Sequence, residues 1–298
     1  MAHRSVLLKE VLQYLAPEPG QFVIDGTVDG GGHAEAIMSE IMPEGNFLGL
    51  DWDKKMVEAR EAARAGHAYG ARERYLHRNY AELPEIIREE KLGLADGLLL
   101  DLGFSSEQLE RSGRGFSFGD AHAGEPLYMT YDDAQTPVAE LLRGVKENEL
   151  ARILFTLGGE RLSRRIAKAI VEREKAHAIT TSGELAEVVR GAVPAGYEKG
   201  RIDPATRTFQ ALRIYANDEL GNLTRTLDSM PRIVKPGGRV VVISFHSLED
   251  RIIKHSFQTS AKEGKAEILT KKPVVPSREE EEENPRSRSA KLRAATIT

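Results

Sequence analysis

The sequence predicts an α/β fold in which a doubly wound parallel sheet is split by an inserted helical domain. Short apolar runs alternate with segments of helical composition over residues 22–102. Only helical periodicity is found from residue 138 to residue 227, and an apolar strand pattern returns at residues 239–243. Alternating strands and helices with short connections are typical of a parallel sheet covered on both faces by helices. The return of the strand pattern indicates that the sheet is completed after the helical interlude.

Strand patterns occur in the first third of the chain and again near its end. Each predicted strand is a short apolar run bounded by a turn or a polar residue, and the helix after the first strand is closed by Pro43 and Gly45. The predicted strands are Phe22–Ile24, Phe47–Leu50, Tyr75–His77, Gly97–Leu102 and Arg239–Ile243, the predicted helices are Ala34–Ile41, Lys54–Ala65 and Leu83–Glu90, and a hairpin strand is expected near Ile268 and Val274 in a tail that is otherwise extended from Lys271.

Helical periodicity dominates the middle of the chain after a long loop, which covers Ser105–Thr136 and is rich in glycine, serine and aspartate. Apolar residues recur at helical spacing around Leu150, Leu162 and Leu185. A last long helix is predicted from Phe209 to Leu227. The predicted domains are residues 1–104 and 217–298 for the sheet and residues 105–216 for the helical insertion.

The composition excludes several classes of protein. The 298 residues contain no cysteine, so disulfides, thiolate catalysis and cysteine-ligated zinc are ruled out. The sequence has no His-Glu-x-x-His metal motif, and no stretch approaches the roughly 18 consecutive apolar residues that a membrane helix needs. Residues 1–15 carry charges where a signal peptide would be apolar. We therefore expect a cytoplasmic protein with no membrane partner and no metal.

Charge is balanced overall but is segregated in the C-terminal tail. Forty-two Lys and Arg residues stand against 46 Asp and Glu, which gives a formal net charge of −4 and no global field for nucleic acid. In the tail, the acidic run Glu279–Glu283 precedes a basic cluster, for which phosphate binding and a solvated terminus are both open interpretations. The basic residues are Arg286, Arg288, Lys291 and Arg293.

A glycine-rich loop follows the first predicted strand. It reads Asp25-Gly-Thr-Val-Asp-Gly-Gly-Gly-His33, and three successive glycines allow the backbone to approach a ligand closely. In an open α/β sheet, ligands bind outside the carboxyl ends of the strands. The position of the loop therefore favours a nucleotide-type ligand over a merely flexible turn.

The spacing of the loop indicates a cofactor without phosphate. The string is neither a dinucleotide fingerprint nor a P-loop, and Asp29 stands where a dinucleotide fingerprint has glycine. A carboxylate there would repel a pyrophosphate, whereas S-adenosylmethionine carries a cationic sulfonium and a cationic amino group. Asp51 ends the second predicted strand, 19 residues after Gly32, and is placed to accept both ribose hydroxyls.

Two further residues near strand ends are candidates. Tyr80 is placed to stack on adenine, although an ordinary core tyrosine would show the same pattern. Asp101 interrupts the apolar run LLLDL, and a buried carboxylate is costly without partners. Asp101 is therefore expected to bind a ligand or to take part in the chemistry.

Long strings over almost the whole chain resemble one family. They are HRSVLLKEVLQYL, DGT and GGGH, LLLDLGFSSEQL, RGFSF, PATRTFQALRIYANDEL, KPGGRVVVISFHSLEDRIIK and NPRSRSAKLRAA. In this order they resemble the bacterial 16S ribosomal RNA cytosine-N4 methyltransferases of the MraW (RsmH) family. The resemblance implies a class I, Rossmann-like, S-adenosylmethionine-dependent methyltransferase core with a helical substrate-recognition insertion. It also implies methylation of a decoding-region cytidine in the 16S rRNA of the small ribosomal subunit.

The family pattern also implies a set of cofactor contacts in the glycine loop and at the strand ends. Most of these residues are candidates from the residue patterns as well, whereas His33 and Gln108 rest mainly on the resemblance. The implied contacts are Gly31, Gly32, His33, Asp51, Tyr80, Asp101 and Gln108.

The chain departs from the family pattern at two places. Asp29 replaces a usual glycine of the cofactor loop. Tyr128, Thr130 and Tyr131 replace Asp, Arg and Met in the string PLYMTYD, which removes a charge pair expected near the substrate cleft.

Methyl transfer to an exocyclic amine needs positioning more than acid–base power. Asp101-Leu-Gly-Phe104 occupies the place where base amino-methyltransferases often carry Asp-Pro-Pro-Tyr. This placement would let Asp101 face the amine and Phe104 stack on a flipped base. The alternative is that Asp101 serves the cofactor alone and Phe104 belongs to the core. His246, in the string ISFHS, is a candidate proton relay or a structural histidine.

Two other functions are compatible with these patterns. A methyltransferase with the same cofactor could act on another RNA or on a small molecule, and a ribosome-assembly factor could bind without transferring methyl. The large insertion and the basic tail favour 16S rRNA as the partner. The oligomeric state is left open, a homodimer included.

Overall fold

The computed structural model of the chain describes residues 5–64, 72–103, 112–200 and 202–298. The chain divides into two compact units, one of Met1–Ser105 with Leu220–Thr298 and one of Ser106–Glu219. The first unit contains the sheet, and the second is helical. Of the predicted site residues, Phe104 and Gln108 lie outside the described ranges.

The sheet consists of β1 (Phe22–Asp25), β2 (Asn46–Asp51), β3 (Glu73–His77), β4 (Ala95–Asp101), β5 (Val234–Ser244), β6 (Ala266–Ile268) and β7 (Lys291–Ile297). Its order is β3-β2-β1-β4-β5-β7-β6. Strands β1 to β5 pair in parallel, and β7 runs antiparallel to both β5 and β6. The direction of winding reverses between β1 and β4, which confirms the predicted doubly wound sheet.

The observed strands and helices confirm most of the predicted elements. Between residues 22 and 101, each predicted strand or helix begins and ends within two residues of the observed one. None of the helices in the described ranges has the length and apolar content that crossing a bilayer would need. In chain order they are α1 (Leu8–Leu15), α2 (Gly32–Ile41), α3 (Lys54–Arg64), α4 (Leu83–Glu89), α5 (Val138–Gly144), α6 (Glu147–Gly158), α7 (Ser163–Ala176), α8 (Ser182–Ala192), α9 (Thr206–Ala216), α10 (Glu219–Asp228), α11 (Ser247–Lys262) and α12 (Arg278–Glu283).

Both faces of the sheet are buried. Leu98 and Leu100 of β4 pack into the apolar cluster on one face, and Leu99 packs into the cluster on the other. Successive side chains of a strand point to opposite faces, so a strand covered on both sides needs a continuous apolar run. This need explains the LLLDL pattern and leaves the polar residues of the strands at their ends.

The predicted helix over Phe209–Leu227 is wrong, because the chain breaks it into α9 and α10. Asn217, between them, is fully buried, and its amide donates to the carbonyls of Arg213 and Met129, each at 2.8 Å. Asp218 then takes a left-handed backbone conformation with φ 46°. A buried side-chain amide that binds a helical carbonyl competes with the backbone and ends the helix.

The prediction of an extended tail is also corrected. Residues 278–283 form α12, whose first turn is capped by the Ser277 hydroxyl accepting from the Glu280 N–H at 3.1 Å. Residues 291–297 form β7, which is buried between β5 and β6. The strand expected near Ile268 is confirmed as β6, and Val274 bridges to Leu292. The tail therefore belongs to the folded sheet.

Candidate cofactor site at the strand ends

Three carboxylates lie at one edge of the sheet. Asp25, Asp51 and Asp101 are the last residues of β1, β2 and β4, which are adjacent and parallel. The edge lies where the winding reverses, which is where ligands bind in sheets of this kind. The sequence predicted this placement for Asp51 and Asp101, and the structure adds Asp25.

The glycine loop makes a tight turn between β1 and α2. Gly31 has φ 82°, and Asp29 has φ 45°. A Cβ on Gly31 would lie 2.2 Å from Cζ of Arg60, and a Cβ on Gly32 would lie 2.2 Å from Oγ of Ser5. The left-handed backbone conformation favours glycine at residue 31, and a side chain at either position would displace the side chain of Arg60 or Ser5.

Asp51 ties the loop to β2. Its Oδ2 accepts the Asp29 N–H at 3.0 Å, and its Oδ1 accepts the Asp53 N–H at 2.8 Å. Burial raises the pKa of Asp51 to about 7, although these two N–H groups oppose the shift. Each carboxylate oxygen keeps a second lone pair, so the group can still accept hydroxyl donors from a ligand.

Asp25 and Asp101 are joined through Thr27. The fully buried Asp25 accepts the Thr27 N–H at 3.0 Å on Oδ1, and the Asp101 N–H donates to Oγ1 of Thr27 at 2.7 Å. Burial raises the pKa of Asp25 to about 6, and nearby His33 opposes this shift. Oδ2 of Asp25 is buried without a hydrogen-bond partner among the described residues.

His33 completes a group that we call the Asp25 corner: Asp25, Thr27, His33 and Asp101. Nε2 of His33 lies 3.3 Å from Oδ2 of Asp101, whose Oδ1 accepts the Gly103 N–H at 3.0 Å. Neither ring nitrogen has a well-aligned hydrogen bond within the part of the chain that the structure describes. Buried polar atoms are normally paired. The corner is therefore suited to a ligand that carries hydrogen-bond donors and positive charge.

Arg60 lies behind the glycine loop, and no sequence pattern indicated it. This α3 residue is 7% exposed, and its Nη1 donates to Oε1 of Glu35 at 3.0 Å and to the Gly30 carbonyl at 3.5 Å. Its guanidinium also lies over the Tyr75 ring, 5.8 Å from the centroid. Arg60 thus fills the space that a side chain on Gly31 would need.

The family of the chain follows from its comparison with known proteins. Residues 1–298 match the family described as the MraW methylase family. The chain belongs to the MraW methylase family. A ribosomal RNA small subunit methyltransferase H of Geotalea uraniireducens is 44% identical over 98% of this chain and 97% of the relative. The protein of that name in Deinococcus deserti is 44% identical over 99% of this chain and 93% of the relative.

A solved rRNA methylase of Streptococcus thermophilus aligns over 100% of this chain and 98% of that chain, with 7% identity and a TM-score of 0.46. The resemblance found in the sequence is confirmed by the family match. The MraW methylases are S-adenosylmethionine-dependent, and the residues at the sheet edge fit this cofactor. Oδ2 of Asp25, which has no hydrogen-bond partner among the described residues, suits a cationic amino group, and Asp51 suits a ribose diol.

Two aromatic residues of this MraW-family chain lie near the site. Tyr80 lies against the start of the loop, because a Cβ on Gly26 would be 3.1 Å from its Cβ. Phe245, which sequence reasoning missed, lies next to Asp101: a Cβ on Gly103 would be 2.9 Å from its ring and 2.9 Å from Oδ1 of Asp101. The signal for Phe245 was its place at the end of β5, next to β4.

His246 has a structural role. It is the N-cap of α11, and its Nδ1 accepts the Glu249 N–H at 3.4 Å while its own N–H donates to Oε2 of Glu249 at 3.3 Å. Nε2 of His246 lies 3.1 Å from Oε1 of the same carboxylate. The cap is the structural alternative left open by the sequence, and the proton relay stays a prediction.

The four basic residues of the tail separate into two pairs. Arg286 and Arg288 are exposed. Arg293 is 7% exposed and donates to Oδ1 of Asp250 at 2.7 Å, and Lys291 lies 3.7 Å from Oδ2 of that carboxylate. Burial would raise the pKa of Asp250, but the two cations lower it below its usual value. Lys291 and Arg293 thus join β7 to Asp250 of α11, and phosphate binding by the four basic residues stays a prediction.

The second departure from the family pattern is built into the helical unit. The Tyr131 hydroxyl donates to Oε1 of Glu219 at 3.0 Å, and its ring stacks on Phe116 with centroids 5.6 Å apart. Thr130 is buried, and Tyr128 is exposed. The Tyr131 hydrogen bond thus stands where the family pattern has Met, and the expected charge pair at positions 128 and 130 is replaced by an exposed tyrosine and a buried threonine.

Proposed function

We propose that this MraW-family enzyme transfers a methyl group from S-adenosylmethionine to the N4 amine of a cytidine in the decoding region of 16S rRNA. The observation that carries the proposal is the 44% identity to ribosomal RNA small subunit methyltransferase H over 98% of this chain. The N4 target rests on the family resemblance of the sequence. We place the reaction in the cytoplasm and assign rRNA recognition to the helical unit and to Arg286 and Arg288.

Asp101 is the residue proposed to hold the amine. S-adenosylmethionine supplies an electrophilic methyl group when it is bound. The Gly103 N–H fixes Oδ1 of Asp101, and Thr27 fixes its backbone, so Oδ2 is the oxygen available to accept an N4 hydrogen. Holding that hydrogen turns the nitrogen lone pair toward the methyl group, which is a positioning effect. His33, 3.3 Å from Oδ2, restricts where this oxygen can point.

Asp25 and Asp51 are proposed to bind the cofactor at its two ends. Asp25 is a buried carboxylate whose Oδ2 has no hydrogen-bond partner in the described part of the chain, and it lies in the corner formed with Asp101. A cationic amino group there would supply both the missing donor and the missing charge. Asp51 would accept the ribose hydroxyls from the neighbouring strand end.

The non-catalytic alternative rested on Asp29. Asp29 adopts the left-handed conformation that favours glycine, and its N–H still donates to Asp51 at 3.0 Å. Aspartate tolerates this conformation better than most residues. The substitution therefore preserves the geometry of the loop, which supports an active enzyme.

Labelled S-adenosylmethionine and small subunits from cells that lack the modification test the proposal. We expect label in one cytidine of 16S rRNA, located by mass spectrometry, and much less label with Asp101→Asn. Co-sedimentation of the wild-type protein without label would identify a binding factor instead. Label in another RNA, with none in 16S rRNA, would contradict the proposed substrate.

A further inference from the structure

The first half of α7 and the turn before it carry an exposed cluster of positive charge. We call Arg161, Arg164, Arg165 and Lys168 the basic face. They follow the spacing i, i+3, i+4 and i+7, which places side chains on one side of a helix. All four are exposed, and no acidic residue occurs between Glu160 and Glu172. This face contrasts with the formal net charge of −4 for the whole chain.

Two of these four charges have an acidic partner within the described residues, and one of the two is Arg161, whose Nη2 lies 3.5 Å from Oε1 of Glu198. Arg164 and Arg165 have no ion pair or hydrogen bond from their side chains to any described residue. Lys168 lies 3.8 Å from Glu172, and both side chains are more than 60% exposed. Such an exposed pair contributes little to stability. The preceding Glu160 is fully buried and accepts the Tyr197 hydroxyl, so it belongs to the interior.

The position of Arg164 and Arg165 is electrostatically unfavourable for the helix itself. They are the second and third residues of α7, which has no acidic residue in its first turn. The N-terminal end of a helix carries partial positive charge, so cations there lower helix stability. The neighbouring helices α6 and α8 follow the favourable rule, with Glu147, Glu149 and Glu184 in their first turns. Arg164 and Arg165 thus make no contact among the described residues that would explain their position by folding, whereas Arg161 lies over the Tyr197 ring, 5.9 Å from its centroid.

An exposed aromatic ring lies on the helix that packs against α7. Phe155 of α6 is 61% exposed, the largest fraction among the large apolar side chains of the described residues. Arg152, one turn earlier, is also exposed. Exposed aromatic rings beside cations are typical of surfaces that bind unpaired RNA, because bases stack on the rings while phosphates meet the cations.

We propose that the basic face binds backbone phosphates of the substrate rRNA. The proposal rests on the proposed function for the identity of the RNA, and on the charge and exposure of the four residues for the contact itself. Phosphates at the start of α7 would meet the cations and the partial positive charge of the helix together. The arrangement that is unfavourable for the isolated helix becomes favourable in the complex.

The test compares two double variants of the full-length protein. Arg164→Gln with Arg165→Gln removes two charges from the basic face. Lys54→Gln with Lys55→Gln removes two adjacent exposed charges from the first turn of α3 and is the matched control. Four quantities are measured for each: affinity for a protein-free 16S rRNA fragment against salt, KM for unmodified small subunits, Kd for S-adenosylmethionine, and Tm.

We expect the α7 variant to lose about tenfold in rRNA affinity at moderate salt and to lower the log–log salt slope by about 1.5, the value for two lost phosphate contacts. KM for subunits should rise, while kcat and cofactor affinity stay unchanged. Tm should stay equal or rise, because two cations leave a helix N-terminus. The α3 control should match the wild type in rRNA affinity, salt slope, KM and cofactor affinity, and its Tm should stay equal or rise for the same reason as that of the α7 variant. Arg164→Lys with Arg165→Lys should retain the binding.

Three results would overturn the proposal. The first is an rRNA affinity and salt slope equal to those of the wild type. The second is a fall in Tm that accompanies the loss of binding, since it would assign the arginines to folding. The third is weaker binding to subunits with unchanged binding to free rRNA, which would indicate an acidic protein partner. Failure of the wild-type protein to methylate 16S rRNA would instead contradict the proposed function and leave the rRNA affinities to decide this inference.

Discussion

The ends of β1 and β2 carry the same functional group in two different states. Both oxygens of Asp51 accept backbone N–H groups, so the end of β2 is satisfied by the chain itself. At the end of β1, Oδ2 of Asp25 and both ring nitrogens of His33 lack well-aligned partners among the described residues. An unsatisfied buried polar group costs about 1–3 kcal/mol. The comparison indicates that the hydrogen bonds at the end of β2 are complete before a ligand binds, whereas those of the Asp25 corner are completed by the ligand.

We expect the largest loss of activity from Asp101→Asn, which changes the residue of β4 that belongs to the Asp25 corner. Asp101→Asn keeps the size of the side chain but removes the negative charge proposed to accept the amine hydrogen. We expect kcat/KM to fall by about 10²-fold, the size of effect that misplacement of a reacting group produces. The control is Asp96→Asn at the other end of β4, where the carboxylate pairs with Lys235 and accepts the Phe22 N–H. Equal activities of the two variants in a methyl-transfer assay would remove Asp101 from the reaction.

Gly31→Ala should have the next largest effect, because it disturbs the glycine loop, which lies between the end of β1 and Asp51 at the end of β2. The new Cβ would lie 2.2 Å from Cζ of Arg60 at a residue with φ 82°. The backbone conformation alone costs about 1–2 kcal/mol for a residue with a side chain. We expect a lower Tm and, by calorimetry, weaker S-adenosylmethionine binding.

Two variants sharpen the Gly31 prediction. Gly93→Ala is the control, because a Cβ there would meet nothing within 4 Å. Gly31→Ala combined with Arg60→Ala should recover part of the lost affinity, since the clash is removed while the strained backbone remains. An affinity of Gly31→Ala equal to that of the wild type would show that Arg60 does not restrict the loop.

The pH dependence of cofactor binding distinguishes Asp51 from its uncharged variant. The pKa of Asp51 is raised to about 7, and the ribose hydroxyls need the ionised carboxylate as acceptor. Affinity should therefore fall as pH falls from 8 to 6, approaching about tenfold per pH unit below the pKa. Asp51→Asn should bind weakly and keep only the smaller fall in affinity near pH 6 that protonation of Asp25 causes. A wild-type affinity that is constant over the range would contradict the assignment.

The raised pKa of Asp51 has the opposite consequence for the stability of the ligand-free protein, which should be greater at low pH. The pKa of Asp51 lies above its ordinary value of 3.8, so the folded state favours the protonated form. That stabilisation is complete below the ordinary pKa and is lost as pH rises through about 7. Ligand binding and ligand-free stability should thus respond to pH in opposite directions.

Asp29→Gly is expected to have the smallest effect. Glycine would relieve the left-handed backbone at φ 45°, but it would also give the unfolded chain more freedom. The two contributions oppose each other, so the free energy of unfolding should change by less than about 1 kcal/mol. Cofactor affinity should stay the same, because the backbone N–H of residue 29 still donates to the Asp51 carboxylate. A large gain in activity would show that Asp29 impairs the loop.

The ends of β1 and β2 also show which features of the fold and of the site can be predicted from the sequence. The strands and their terminal carboxylates were predictable, because a doubly buried strand such as β4 needs an uninterrupted apolar run. The linkage of Asp25 to Asp101 through Thr27 was not, because it joins residues 74 positions apart. Arg60 was hidden in an ordinary helical pattern for the same reason, and the break at Asn217 depends on the carbonyl of Met129, 88 positions away. Local periodicity encodes elements, whereas side-chain partners are set by the packing between them.

The central claim is that S-adenosylmethionine completes the Asp25 corner. The most direct measurement is the nitrogen spectrum of ¹⁵N-histidine-labelled protein during a titration with S-adenosylmethionine, with His33 assigned by His33→Gln. We predict that the ring nitrogens of His33 shift and saturate at one equivalent, while those of His77, which contacts the Trp52 carbonyl, change less. Calorimetric binding of the cofactor with an unchanged His33 signal would contradict the account.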